Sequence, residues 1–165
     1  AWRSLMEAVH AEVATVSPAT KLGLRLAGTG PASADLALAL MAPPAVVDVV
    51  GPRLEPGGHA RGQGAHADAA LVAWDDWLGV VEDPPELWIL AAGCSPLAFG
   101  ERAQARFVEG CLARAAARPE VVGVVLSGWR DLGHTTGLLH ADGRPRVAGR
   151  RLGELLAAPR GPGRR

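Results

Sequence analysis

Tyrosine is absent from this sequence, and lysine nearly so: 16 of the 17 basic side chains among 165 residues are arginine. Cysteine occurs twice, as Cys94 and Cys111, too few for a disulfide framework. Cys111 falls on the apolar face of a predicted helix, where a buried free thiol is the usual state. His59, His66, His134 and His140 show none of the close spacings that zinc sites use, so they read as loop residues. No apolar run approaches the roughly 20 residues needed to cross a bilayer, and no signal-peptide pattern is present. Seventeen acidic residues balance the basic ones, which removes any global attraction to nucleic acid. Gly28-Thr29-Gly30 lacks the third glycine of a dinucleotide turn and runs into Pro31. Ser95 lacks the glycine-flanked elbow of a serine hydrolase. The expectation is therefore no metal, no cofactor, no nucleic acid and no membrane partner.

What is present is a repeated plan. Trp2, Leu5, Met6, Val9, Val13 and Val16 recur at spacings of three and four, an amphipathic helix that Ser17-Pro18 stops. Four short apolar runs follow, near residues 21–28, 46–52, 87–92 and 121–128, and a helical pattern succeeds each. The first of these helices is expected to be capped by Ser33 or Asp35. The second spans 68–81 with Leu71, Trp74, Leu78 and Val81 on one face, and the third starts near Glu101. The last opens at Pro145 and runs to Leu156.

Strands alternating with helices require parallel pairing and right-handed crossovers. Two architectures share that pattern, a doubly wound sheet and an α/β barrel, and strand order separates them. A complete (β/α)8 barrel takes about 250 residues. The barrel reading thus makes residues 1–157 a partial barrel domain of four parallel strands, its C-terminal half, with 158–165 a disordered basic tail. Residues 144–165 hold seven arginines against one acid, Glu154, and read as solvated. An open half-barrel would turn Leu22, Leu24, Val47, Val49 and the first helix toward a missing N-terminal half, or toward self-association.

In such barrels chemistry sits on the loops after the strands. The last of these loops lies within GVVLSGWRDLGHTTGLLHADGRPR, Gly123 to Arg146, which resembles the closing segment of barrel glycoside hydrolases of the cellulase-like superfamily. VVDVVGPRLEP resembles that family's sixth strand, ELWILAAG its seventh, and ERAQARFVEGCLARAAARPEVVGV the helix leading into its eighth. The resemblance covers most of Ala19 to Leu156. It implies a carbohydrate-directed fold, a carbohydrate partner, and a secreted or cell-envelope location. It also exposes departures. Glycoside hydrolysis needs two carboxylates flanking the bond. The position of the strand-seven nucleophile is Ala91 here, and the strand bearing the acid/base glutamate has no counterpart. Where the family often shows His and Tyr, this chain has Arg53 and Glu55. The resemblance thus leaves an inactive glycosidase segment and a carbohydrate-binding pseudoenzyme both open. A self-standing α/β module is the third reading.

Trp129 is the candidate sugar platform, a flat indole at the end of the last strand. Asp131, Arg53 and His134 are the other candidate substrate-binding residues. Glu55 and Asp131 form the only pair in the chain available to stand in for the two catalytic carboxylates, although Arg53 and Arg130 offer each an ion-pair partner. Asp48 and the remaining indoles Trp74, Trp77 and Trp88 are read as structural.

Overall fold

The computed structural model describes residues 2–42, 45–56, 65–80, 87–131 and 136–158, with the side chains of 65–68 and 90–92 outside the description. The elements run α1 (Trp2–Val16), β1 (Gly23–Leu26), α2 (Pro31–Met41), β2 (Val49–Pro52) and α3 (Ala65–Val80). They continue with β3 (Leu87–Ala92), α4 (Pro96–Phe99), α5 (Glu101–Ala117), β4 (Val121–Leu126) and α6 (Val147–Ala157). The four strands pair in the order β1-β2-β3-β4, all parallel. No strand order reverses, so the sheet is a half-barrel and not a doubly wound sheet. Among the described residues it is open, with β1 and β4 at its edges.

Several element ends differ from expectation, each for a local reason. Proline fits the first helical turn because its missing N–H has no intrahelical partner there. Helix α2 therefore starts at Pro31 behind Gly30, and the Ser33 hydroxyl donates to the Gly28 carbonyl at 2.5 Å instead of capping the helix. Helix α6 starts later than expected, at Val147, because Pro145 is held in a bridge to Leu139. The turn α4 was not foreseen. Gly100, at φ 85°, joins it to α5 in a conformation that only glycine adopts freely. Asp48 precedes β2, where its carboxylate accepts the Leu22 N–H at 2.7 Å and lies 3.4 Å from His10 Nε2.

The core lies between the sheet and its helices. Val50, Leu87 and Ile89 pack with Trp74 and Leu78 of α3 and with Phe107 and Cys111 of α5. Each large apolar side chain buried there contributes roughly 1.5–3 kcal/mol. Cys94 and Cys111 are free and buried, and burial pushes the Cys111 thiol up to about 12. Outside this core Arg114 forks onto Asp75 at 2.8–3.1 Å and ties α5 to α3.

Successive strand residues face opposite ways, so Trp88, between Leu87 and Ile89, turns to the other face of the sheet. Its ring covers Gly123 of β4 so closely that a β-carbon there would stand 2.9 Å from it. Leu22, Leu24, Val47 and Val49 are not the exposed flank expected of them. Val47 and Val49 are 1% and 7% exposed, and Leu22 and Leu24 pack against the core cluster that contains Met6, Ala37 and Leu40. Exposed apolar residues are spread instead over several elements, among them Trp2, Leu5 and Val16 of α1, Val72 and Val80 of α3, Leu97 of α4, Val122 and Val125 of β4 and Leu156 of α6.

Two glycine substitutions test this packing. Gly123→Ala is expected to lower stability by about 1–3 kcal/mol through overpacking against Trp88. Gly153→Ala in α6, where nothing lies within 4 Å, should raise it by about 0.5–1 kcal/mol through helix propensity. Urea unfolding of both variants measures the contrast, and equal effects would contradict the described contact.

Candidate functional site

Parallel strands in sequential order bring the segments after them to one rim. After β2, backbone alternation buries Leu54, at 2% exposure, and turns Arg53 and Glu55 outward. The two form an ion pair, Nη2 to Oε2, which raises the guanidinium further above its ordinary value. Together with Thr29 and Gly28 from the end of β1 and Ala73 from α3 they line a cleft of about 560 Å³. That volume lies within the range of small-molecule sites.

The segment after β4 is built differently. Trp129 stands 66% exposed. Its carbonyl accepts the Leu139 N–H at 2.9 Å, and the Asp131 N–H donates to the Leu139 carbonyl at 3.2 Å. Asp131 does not pair with its neighbour Arg130. Its carboxylate accepts the Gly137 N–H at 2.9 Å and is bound by Arg146 Nη2. Gly137 is obligatory here, since a β-carbon would lie 2.5 Å from the carboxylate.

Arg146 is 8% exposed and places its other terminal nitrogen 2.7 Å from Glu101, the first residue of α5. Glu101 also accepts the Val147 N–H at 3.3 Å and lies 3.4 Å from His140 Nε2. Partial burial works to raise the Glu101 carboxyl. The Val147 N–H, the Arg146 guanidinium and His140 together outweigh that and hold it below its ordinary value. Hydrogen bonding to Asp131, partly offset by burial, raises Arg146.

The structure therefore brings Arg53 to Glu55 and Asp131 to Arg146, and does not bring Glu55 to Asp131. Each is held by its own arginine. Ala91 lies within β3, where the register against β4 shifts between Ile89 and Ala92. His134 and His59 lie outside the described residues, as does the His66 side chain. Among the described residues no group of His, Cys, Asp and Glu is placed to hold a metal.

Sequence reasoning missed Arg146 and Glu101. The basic run from Arg144 reads as a solvated tail, yet its second arginine is buried, and Arg151 pairs with Glu109 at 3.0 Å and Glu154 at 2.8 Å. The only available signal was position: Arg146 directly follows Pro145 where a helix starts, and Glu101 opens another helix.

A carboxyl held low in the folded state stabilises above its unfolded value, and that contribution disappears as pH falls through the folded one. Glu101 should therefore make acidification below its ordinary value of 4.5 destabilising. Glu101→Gln is expected to cost about 1.5–3 kcal/mol at pH 7 and to flatten the acid limb of the stability profile. Thermal unfolding between pH 7 and 3 reads this; an acid limb unchanged by the substitution would contradict the assigned network.

No family model matches the chain, and no curated protein matches it either. Solved structures do. An intracellular xylanase from Thermoanaerobacterium saccharolyticum is 13% identical at TM-score 0.64, with 89% of this chain and 48% of that one covered. A beta-galacturonidase from Eisenbergiella tayi is 13% identical at TM-score 0.59, covering 92% of this chain and 29% of the other. A beta-glucuronidase from Faecalibacterium prausnitzii is 19% identical at TM-score 0.56, covering 68% and 22%. The chain thus spans less than half the length of each of these structures. At such identities the likeness concerns the fold alone, and the conclusion it carries is that this chain has the architecture of part of an α/β barrel, similar to part of each of these three enzymes.

Proposed function

We propose that residues 1–157 form a carbohydrate-directed partial barrel that binds sugar at its rim and has no glycosidase activity of its own. One observation carries the reading: the rim presents an exposed indole, Trp129, while both candidate carboxylates, Glu55 and Asp131, are committed to arginines. A flat apolar ring suits the C–H face of a pyranose. A carboxylate paired with a guanidinium is favoured in its ionised form, which suits a nucleophile but leaves no proton to give to a leaving group, so two such groups do not make an acid–nucleophile pair. The nucleophile position is occupied by Ala91, whose methyl group offers no chemistry. Arg53 and Thr29, in the cleft after β1 and β2, supply donors for sugar hydroxyls. The fold's likeness to a xylanase, a beta-glucuronidase and a beta-galacturonidase supports a saccharide as the ligand class.

Hydrolysis and binding are tested separately. Aryl glycosides should not be turned over by the wild type, by Ala91→Glu or by Glu55→Gln, because a single restored carboxylate lacks its partner. Xylohexaose and cellohexaose should bind the wild type in calorimetric titrations, and Trp129→Ala should weaken binding by about tenfold or more, some 1.4 kcal/mol. Wild-type turnover that disappears in Glu55→Gln would make Glu55 catalytic and overturn the reading. Equal binding by wild type and Trp129→Ala would remove the platform.

A further inference from the structure

The Trp129 segment is tied to its neighbours by a set of backbone hydrogen bonds. Three stretches of backbone are stitched side by side. Leu138 donates to the Gly128 carbonyl at 3.3 Å, Leu139 to that of Trp129 at 2.9 Å, and Arg146 to that of Leu138 at 2.9 Å. Leu139 bridges Arg130 on one side and Pro145 on the other. Beneath this lies Gln104, 1% exposed, whose amide nitrogen donates to the carbonyls of Thr136 and Gly137 at 3.1 Å each. The side chain that closes the assembly is Arg146. One terminal nitrogen binds Asp131, two residues beyond Trp129, and the other binds Glu101 on α5, 2.7 Å away.

A buried cation shared by two carboxylates on different elements is costly to desolvate and is weak as a source of net stability. Its distinctive property is geometric, since a planar guanidinium fixes the direction of both partners at once. Here one partner belongs to the helix scaffold and the other to the segment that carries the exposed ring. Fixing a ring before a ligand arrives removes the ordering cost that binding otherwise bears.

We propose that Arg146, acting through Asp131, is the positioning residue for the Trp129 platform. The assignment rests on the reading of Trp129 as a saccharide platform. Arg146 touches no ligand; it sets the direction and mobility of the indole. Asp131, taken from sequence as a sugar contact, serves as the link between the two.

The variants are Arg146→Lys, which keeps the charge but not the fork, and Asp131→Asn, which keeps the shape but not the ionic link. Both avoid leaving two carboxylates facing each other without a cation. Fluorine NMR of the fluorotryptophan-labelled protein supplies a readout without ligand, with the Trp129 line assigned by its loss in Trp129→Phe. In both variants the Trp129 line is expected to shift and broaden, while the lines of buried Trp74 and Trp77 stay in place and report an intact core. Xylohexaose affinity should fall about tenfold in both, with unchanged affinity for neither. Trp129 lines and affinities like those of the wild type would overturn the positioning role. Movement of the Trp74 and Trp77 lines as well would also overturn it, by showing a general structural role. Loss of affinity in Arg146→Lys with none in Trp129→Phe or Trp129→Ala would instead sink the platform reading.

Discussion

Burial of the strands against the helices is the constraint on which the rest depends. Val50, Leu87 and Ile89 all turn their bulk toward the helices, where Trp74 and Phe107 are fully buried with them. A parallel sheet covered by helices on that face requires crossover connections of one hand. With sequential order, every strand then points its carboxyl end to the same rim. On the opposite face Val49 is buried as well, and Trp88 lies over Gly123. The rim exists because all four strands run parallel, not because any rim residue organises it.

Charge at that rim is arranged in closed pairs. Arg53 holds Glu55, and Arg146 holds both Asp131 and Glu101. Exposed pairs of the first kind contribute little to stability. The second is different in kind, because Arg146 is buried and its partners lie 15 and 45 residues away in the chain. It therefore couples the end of β4 to the start of α5 and to the start of α6. The exposed indole of Trp129 lies two residues before Asp131, next to this junction.

Much of this was legible in the residues. Spacings of three and four marked α1 and α5, and β-branched runs marked the four strands, because both periodicities are set within a turn or two of chain. The resemblance of residues 123–146 to the closing segment of a glycoside-hydrolase barrel agrees with the folds of the solved structures. The exposed flank was misplaced. Leu22, Leu24, Val47 and Val49 are expected from sequence to face outward, whereas Val47 and Val49 are buried and Leu22 and Leu24 pack against the core cluster. Such an error arises because an apolar strand residue carries no mark of which neighbour will bury it.

The sequence by itself determined the kinds of element, their order and the absence of a glutamate at position 91, since each is a property of short stretches or of single residues. Only the tertiary structure decided the strand order, which no local pattern encodes, and the fate of the charges. Seven arginines in residues 144–165 look alike in one dimension. Which of them is buried between two carboxylates follows from where the β4 segment, α5 and α6 meet. Electrostatic pairing acts on distance in space, and the separation of Arg146 from Glu101 along the chain says nothing about that distance.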